Sequence, residues 1–335
     1  MSKEQRKRVL IFGGTGSLGH KLTDRYLPTH DVCIYSRDET KQWLMKKEYN
    51  DTRINFVLGC VRNKQQVENA IFRFKPNIVI IASALKHIDQ CEENINECVL
   101  TNITGVQNII DISYEHSQKV NVPFLETVVM VSTDKSCSPV NVYGMSKAIA
   151  ERMTIEKSQF VDKPKFVNVR YGNVLNSRGS VLPLFNKTGQ NPKYKHFTVT
   201  DERMTRFFMT LDDSVDLIQK AISHGESGDT FIPKMKGYSI LEIATIYSKA
   251  YKKSIKFVGL RPGEKLHECL INHIEIARTI DLGNVYVIRP CYREHEIETC
   301  INMEEYTSDI CLESASNLEK YMELLDTSVD GESSQ

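Results

Sequence analysis

Arg8-Val9-Leu10-Ile11-Phe12 runs straight into Gly13-Gly14-Thr15-Gly16-Ser17-Leu18-Gly19, and a helical pattern follows from Ser17 to Tyr26. The first five residues have the length and apolarity of a strand buried on both faces. Glycines at 13, 16 and 19 suit a tight turn, close approach of a pyrophosphate and tight helix–strand packing. The helix N-terminus then faces the phosphates. Glycines at this spacing also occur in ordinary turns. Here they join a strand to a helix at the start of a βαβ unit, and that position favours a dinucleotide site at Gly13, Thr15, Gly16, Ser17, Leu18 and Gly19.

Outward from this loop, strand-like and helix-like segments alternate. Strands are predicted at Arg8–Phe12, Asp31–Tyr35, Ile54–Leu58, Ile78–Ala82, Thr127–Ser132 and Phe166–Tyr171, with a seventh at Thr230–Ile232. Helices are predicted at Ser17–Tyr26, Glu39–Lys47, Lys64–Arg73, Asn96–His116, Tyr143–Phe160 and about Asp212–His224. The alternation predicts an α/β fold: a Rossmann-type, doubly wound parallel sheet. Loops dominate Gly172–Pro192; helices then follow at Ser239–Tyr251 and around Glu264–Ile271. Residues 1–174 read as the dinucleotide-binding domain, with a return segment at about 206–233. Residues 175–335 read as a smaller substrate domain, with a disordered acidic tail at 326–335.

The chain has 335 residues, 41% of them hydrophobic, which supplies a sizeable core. Lys plus Arg balance Asp plus Glu at 43 each, so broad electrostatic binding to nucleic acid or an anionic membrane is not expected. No apolar run reaches transmembrane length. The nine cysteines form no Cys-x-x-Cys pair, and reduced thiols in a cytoplasmic enzyme are the simplest reading. No metal site is expected.

NAD sites commonly place an acidic residue at the end of the second strand. This chain has Tyr35-Ser36-Arg37 there. A guanidinium can grip a 2′-phosphate through two hydrogen bonds, and Ser36 adds a hydroxyl. NADP is therefore the expected cofactor. The competing reading makes Arg37 a solvated residue at a helix start, before an N-cap at Asp38.

The fifth strand ends in Ser132-Thr133-Asp134-Lys135, and Tyr143-Gly144-Met145-Ser146-Lys147 follows. Tyr143 and Lys147 lie four apart at a helix start and share a face. Lys147 and a cationic nicotinamide would stabilise a phenolate, making Tyr143 a base for a sugar hydroxyl, with Thr133 as hydroxyl partner. Asp134 and Lys135 sit where open α/β sheets bind ligands. Oxidation of a hydroxyl does not need them, so they imply a second proton transfer. A surface ion pair in a turn is the bland alternative.

These motifs, together with Arg170-Tyr171-Gly172-Asn173-Val174, Ser177-Arg178-Gly179-Ser180-Val181-Leu182-Pro183, Met204-Thr205-Arg206-Phe207 and Arg261-Pro262-Gly263-Glu264-Lys265-Leu266-His267-Glu268, resemble one family. It is the configuration-inverting UDP-N-acetylglucosamine 4,6-dehydratase family, in the polysaccharide-biosynthesis branch of the extended short-chain dehydrogenase/reductases. Ala84-Leu85-Lys86-His87 and Thr101-Asn102 fit as well, and the resemblance spans about residues 8 to 325. The start of the chain close to the glycine loop resembles the short, soluble branch.

The resemblance implies that Tyr143, with Lys147 and Thr133, deprotonates the carbon-4 hydroxyl during hydride transfer. Lys135, if partly neutral, then removes the carbon-5 proton, and Asp134, if protonated, donates to the departing carbon-6 hydroxyl. It implies cofactor contacts at Cys60, Val61, Ala82, Ala84, Lys86 and Asn102, besides the glycine loop, Ser36, Arg37, Tyr143 and Lys147. Substrate contacts fall at Lys86, Asn173, Arg178, Ser180, Thr200, Arg206, Arg261 and Glu264; a purely structural role is most credible for Arg206 and Ser180. A homo-oligomer, often a hexamer, is implied too.

Three positions stand out. Gly59-Cys60-Val61-Arg62 replaces the family's Gly-Asp-Val-Arg, which puts the adenine contact in doubt. Ile95 replaces a usual Pro. Tyr143 is kept where some relatives carry Met. A carbon-5-retaining dehydratase would resemble Thr-Asp-Glu rather than Thr-Asp-Lys. A 4-epimerase has no use for Asp134 and Lys135. A non-catalytic NADP-binding protein commonly lacks the Tyr–Lys pair.

Overall fold

The computed structural model describes residues 6–119, 124–175, 180–293 and 301–318. The strands are β1 Arg8–Phe12, β2 Asp31–Ser36, β3 Ile54–Leu58, β4 Ile78–Ile81, β5 Thr127–Val131, β6 Lys165–Val169, β7 Asn173–Val174, β8 His196–Val199, β9 Thr205–Met209, β10 Thr230–Pro233, β11 Lys236–Ser239, β12 Ser254–Phe257, β13 Cys269–Ile271, β14 Thr279–Asp281, β15 Val285–Ile288 and β16 Tyr306–Thr307. The helices are α1 Ser17–Tyr26, α2 Glu39–Tyr49, α3 Lys64–Phe74, α4 Ile88–Glu93, α5 Ile95–Val99, α6 Gly105–Lys119, α7 Val142–Lys157, α8 Val181–Gln190, α9 Leu211–His224, α10 Ile240–Tyr251 and α11 His273–Ile276.

Nine strands form one sheet in the order β14-β15-β10-β6-β5-β4-β1-β2-β3. From β3 to β6 this is the doubly wound order 3-2-1-4-5-6, which reverses direction between β1 and β4 and opens a crevice at their carboxyl ends. Neighbours from β3 to β10 pair in parallel, while β15 joins β10 and β14 joins β15 antiparallel. Val9, Leu10, Ile11 and Phe12 are fully buried, as a central strand covered on both faces requires. One apolar cluster lies on each face of the sheet, the first around Ile11, Ile34, Val129 and Ile218, the second around Leu10, Phe12, Val79 and Ile109. A further cluster around Leu182, Phe185, Phe197, Ile243 and Tyr247 is built by α8, β8 and α10.

Local signals set the helix ends. The Asp38 side chain caps α2 through Lys41 N, Asn63 caps α3 through Gln66 N, and Asn141 caps α7 through Gly144 N. Thr210 and Asp213 form a capping box on α9. Among the described residues, no helix is long and apolar enough to cross a membrane.

Three expectations are corrected. The helix expected at Asn96–His116 is interrupted by a π-helical turn, Leu100–Thr104, before α6. The stretch Gly172–Pro192 contains β7 and most of it that follows residue 180 is α8. No helix forms at Glu264–Ile271. The carbonyls of Lys265 and Leu266 are taken by the Arg206 guanidinium and Thr205 N, and Cys269–Ile271 pairs with β16. The tail at 326–335 lies outside the described residues.

Candidate active site

The glycine loop shows which glycines the protein needs for itself. Gly13 has φ +85°, donates its N–H to the Tyr35 carbonyl at 2.8 Å, and a Cβ there would stand 2.7 Å from Ser83 N. A Cβ on Gly19 would lie 2.1 Å from the Gly14 carbonyl oxygen. Gly16 differs: its Cβ would meet only the Gly13 carbonyl oxygen, at 3.4 Å. Internal packing therefore does not require glycine at 16, whereas a ligand lying against the backbone would. Gly16 is exposed at the N-cap of α1, which has no side-chain cap and no acidic residue in its first turn. Thr15 is buried, and Ser17 and Leu18 are half-buried at the same turn. The loop and helix end fit a pyrophosphate.

At the far end of β2, Ser36 is buried and its Oγ accepts from Gln42 Nε2 at 3.0 Å. Arg37 is exposed, and no described residue holds its guanidinium. Cys60 is half-buried; its N–H donates to Gln66 Oε1 at 2.9 Å and its Sγ accepts from Arg62 Nε at 3.1 Å. Burial pushes the thiol up, but the Arg62 hydrogen bond and the fields of Arg62 and Arg37 hold it below its ordinary value. Two cations therefore act at the position where the resemblance implies a carboxylate. Val61 is buried under Gly105. Ala82 and Ala84 are half-buried beyond β4, and Lys86 is exposed. Asn102, on the π-turn, is fully buried; it accepts from Leu85 N at 2.8 Å and donates to Leu85 O at 2.9 Å and Ser146 Oγ at 3.0 Å. It acts on the cleft by fixing the 84–86 loop against α7.

The chemical centre stands where β5 runs out. Ser132 N and Asp134 N donate to Val169 O and Tyr171 O at 2.7 and 2.9 Å, continuing the register with β6 into a 3₁₀ turn at Asp134–Ser136. Thr133 Oγ1 donates to Asp134 Oδ1 at 2.9 Å. Lys135 Nζ donates to Asp134 Oδ1 at 3.1 Å and to Asn173 Oδ1 at 3.2 Å, and lies 3.2 Å from Glu268 Oε1. Asp134 is completely buried, and burial raises its pKa above the usual range against the pull of Lys135. Glu268 is nearly as buried, yet Lys135, Arg206 and Lys265 together hold it below its ordinary value.

Tyr143, at the start of α7, is buried; burial pushes its hydroxyl up to about 12, opposed by the Lys135 charge and a Thr133 hydrogen bond. Lys147 lies one turn on, buried, with Nζ donating to the Val131 carbonyl at 2.6 Å, and burial lowers its pKa to about 8. Two observations bear on the expected roles. The Lys135 charge opposes the rise at Tyr143, while Lys147 Nζ is drawn to the Val131 carbonyl at the end of β5. Lys135 is not partly neutral: burial disfavours its charge, but Asp134 and Glu268 outweigh burial and raise its pKa.

Toward the surface, charges alternate in one line. Arg261 Nη2 is 3.0 Å from Glu264 Oε1, Arg206 Nη2 is 3.5 Å from the same oxygen, and Arg206 Nε is 3.7 Å from Glu268 Oε1. Glu268 then meets Lys135, and Lys135 meets Asp134. Arg261 is exposed at the outer end, while Arg206 is buried. The arrangement brings Arg206, Arg261, Glu264 and Asn173 together with the chemical centre. Thr200 stands apart from this line, donating to Met204 Sδ at 3.2 Å. Ser180 is the N-cap of α8, and Arg178 lies outside the described residues. Glu268 was not singled out from sequence, although it ends the Arg261–Glu268 motif and lies four residues after Glu264.

Buried polar atoms usually find a partner. Among the described residues, Tyr35 Oη, Ser83 Oγ, Asp134 Oδ2, Ser180 Oγ and Glu268 Oε2 do not. Ser83 touches the glycine loop, and Asp134 and Glu268 flank Lys135. Unsatisfied groups at the cofactor end and at the centre fit polar ligands.

Residues 9–290 match the family described as polysaccharide biosynthesis protein. The Rickettsia bellii protein named UDP-glucose 4-epimerase is 39% identical over 293 residues, covering 84% of this chain and 82% of the relative. The Campylobacter jejuni protein named UDP-N-acetylglucosamine 4,6-dehydratase (inverting) is 37% identical over 291 residues, covering 85% and 83%. An X-ray structure of Pen from Bacillus thuringiensis superposes with a TM-score of 0.85 at 33% identity, covering 96% of this chain and 98% of that one.

Proposed function

Since this chain belongs to the polysaccharide-biosynthesis protein family, we propose that it is an NADP-dependent UDP-N-acetylglucosamine 4,6-dehydratase that inverts carbon 5. The product is UDP-2-acetamido-2,6-dideoxy-β-L-arabino-hexos-4-ulose, an early intermediate for deoxy-amino-sugars of surface glycans. Residues 1–174 and the return segment at 206–233 carry the dinucleotide, and 175–335 the sugar nucleotide. The observation that supports the reading is the Asp134–Lys135 pair, 3.1 Å apart with Asp134 fully buried and Lys135 half-buried, beside Tyr143.

Gly16 and the N-terminus of α1 hold the pyrophosphate, Arg37 and Ser36 the 2′-phosphate, and Lys147 the nicotinamide end. Bound NADP supplies the hydride acceptor and donor that link carbon 4 to carbon 6. Tyr143, with Thr133 hydrogen-bonded to it, takes the proton of the carbon-4 hydroxyl. The ketone acidifies the hydrogen on carbon 5. Lys135 removes that proton and Asp134 donates one to the departing carbon-6 hydroxyl, so water leaves. Steps of this kind each contribute about 10²–10⁴-fold. Arg206, Arg261 and Glu264 line the nucleotide side.

The relative named UDP-glucose 4-epimerase favours a second reading, in which only the hydride step at carbon 4 occurs. That chemistry leaves Asp134 and Lys135 without a role. Proton NMR of the purified protein with UDP-N-acetylglucosamine, and separately with UDP-glucose, distinguishes the two. A 6-methyl doublet from the N-acetyl sugar is the expected outcome. Only an axial–equatorial change at carbon 4 would establish the epimerase instead.

A further inference from the structure

Lys135 has no lone pair to offer in the arrangement observed. Its ammonium faces three acceptors, Asp134 Oδ1 at 3.1 Å, Asn173 Oδ1 at 3.2 Å and Glu268 Oε1 at 3.2 Å, one for each N–H. A base that takes the carbon-5 proton must first release one of its own. An Asn amide oxygen cannot hold that proton, so the choice lies between the two carboxylates. They stand in different surroundings. Glu268 has Arg206 Nε at 3.7 Å and Lys265 Nζ at 4.0 Å, besides Lys135. Asp134 meets no cation but Lys135 at this distance among the described residues; the second oxygens of both carboxylates, Asp134 Oδ2 and Glu268 Oε2, are buried without a hydrogen bond, so it is the surrounding cations that set the two apart.

From this asymmetry we infer that Glu268 is a positioning residue for the elimination: pinned as an anion by Arg206 and Lys265, it holds Lys135 in place and leaves Asp134 as the only carboxylate that can receive the Lys135 proton. The inference deepens the dehydratase reading and rests on it for the chemistry that the transfer serves. The step is internal. One N–H bond of Lys135 breaks and an O–H bond forms on Asp134, turning an ammonium–carboxylate pair into a free amine and a carboxylic acid. The amine then takes the carbon-5 proton while the acid gives its proton to the carbon-6 oxygen. The carbon–oxygen bond breaks, water departs, and the pair returns to ammonium and carboxylate with no proton drawn from solvent. Glu268 keeps its charge throughout.

The groups that face Lys135 are Asp134 on its own turn, Tyr143 and Thr133 beside it, Asn173 on β7, Arg206 on β9, and Glu268 with Lys265 from the segment before β13. Losing one anion in contact moves such a group by about 1–3 pH units. The direct readout is the ¹³Cε chemical shift of Lys135 in lysine-labelled protein with its cofactor bound, assigned with Lys135→Arg. In Glu268→Gln the Lys135 titration should fall by that amount, and Glu268→Asp should restore it. With UDP-N-acetylglucosamine as substrate, the pH profile of dehydration should move to lower pH in Glu268→Gln, with reduction of bound cofactor retained. A merely structural Glu268 would lower turnover or melting temperature and leave the titration in place. If Lys135 titrates in folded Glu268→Gln as it does in the wild type, the inference is overturned. Failure of the dehydratase reading is seen separately, as a wild-type product without a 6-methyl group, and the lysine titration still decides the role of Glu268.

Discussion

The guanidinium of Arg170 and the carboxylate of Glu151 meet in two hydrogen bonds, Nε to Oε1 at 3.0 Å and Nη2 to Oε2 at 2.6 Å. Both residues are buried. The other edge of Arg170 grips Glu275 at 2.8 and 2.9 Å, and Ser136 Oγ reaches Glu151 Oε1 at 2.6 Å. One guanidinium thus ties β6, α7, α11 and the 3₁₀ turn that carries Asp134 and Lys135.

Removing Arg170 leaves two buried carboxylates facing each other. Arg170→Met should destabilise the protein by about 3–5 kcal/mol, the usual cost of breaking a buried pair from one side. Burial works against the Glu275 charge, but Arg170 holds its pKa down to about 2. A depressed carboxylate contributes stability that is present above its unfolded pKa and lost as pH falls toward the folded value. Wild-type stability should therefore fall between about pH 4.5 and 2, and Arg170→Met should lose that part of the profile. Urea titrations across this range check both statements.

The division of labour proposed for Tyr143 and Lys135 can be tested by separating them. Tyr143→Phe should abolish the absorbance of reduced nicotinamide on mixing with UDP-N-acetylglucosamine. Lys135→Ala should still show that absorbance while forming no 6-deoxy product. Because the Lys135 charge opposes the rise in the Tyr143 pKa, the reduction in Lys135→Ala should also be slower, with its rate rising at a higher pH than in the wild type. Complete loss of hydride transfer in Lys135→Ala would show that the lysine takes part in the first step.

Much of this was legible in the sequence because the signals are local. Gly13 to Gly19, the cap at Asp38 and the Tyr143–Lys147 spacing each act within one turn of chain. Glu268 was harder to find, because its partner Lys135 is more than a hundred residues away. The helix expected at Glu264–Ile271 failed for a related reason. Arg206, on another strand, takes the carbonyls of Lys265 and Leu266. The pairing of Cys269–Ile271 with Tyr306–Thr307 is equally remote from local pattern. The protonation of Lys135 depends on both carboxylates together, and only one of them adjoins it in sequence.

In the proposed reading, cofactor choice rests on one exposed guanidinium, that of Arg37. Arg37→Asp should weaken NADP binding by about 1–3 kcal/mol, the scale of charge-assisted hydrogen bonds, and turn the preference toward NAD. Ser36 is already engaged by Gln42, so Ser36→Ala should cost less than Arg37→Asp. Isothermal titration of stripped protein with each dinucleotide measures this. Equal affinity of the wild type for NAD and NADP would remove Arg37 from the account.

Lys147 illustrates what burying a lysine costs the fold. Its pKa is lowered from 10.5 to about 8 by burial, with Glu151 opposing. The ammonium is therefore worse placed in the folded chain than in the unfolded one. Below about pH 8 both states carry the proton, and the full penalty, about 3 kcal/mol for a difference of this size, is present. Between about 8 and 10.5 the unfolded chain binds more protons, so this penalty fades as pH rises. Lys147→Met removes the charge and keeps most of the stem, at the loss of about 1 kcal/mol for the bond to the Val131 carbonyl. The variant without cofactor should be about 2 kcal/mol more stable than the wild type at pH 7, and the gap should narrow toward pH 10. Its affinity for NADP should fall over the same preparation. Denaturant melts at the two pH values, with the dinucleotide removed, measure the difference. A variant less stable than the wild type at pH 7 would mean that Lys147 is held by its hydrogen bond more firmly than burial opposes its charge.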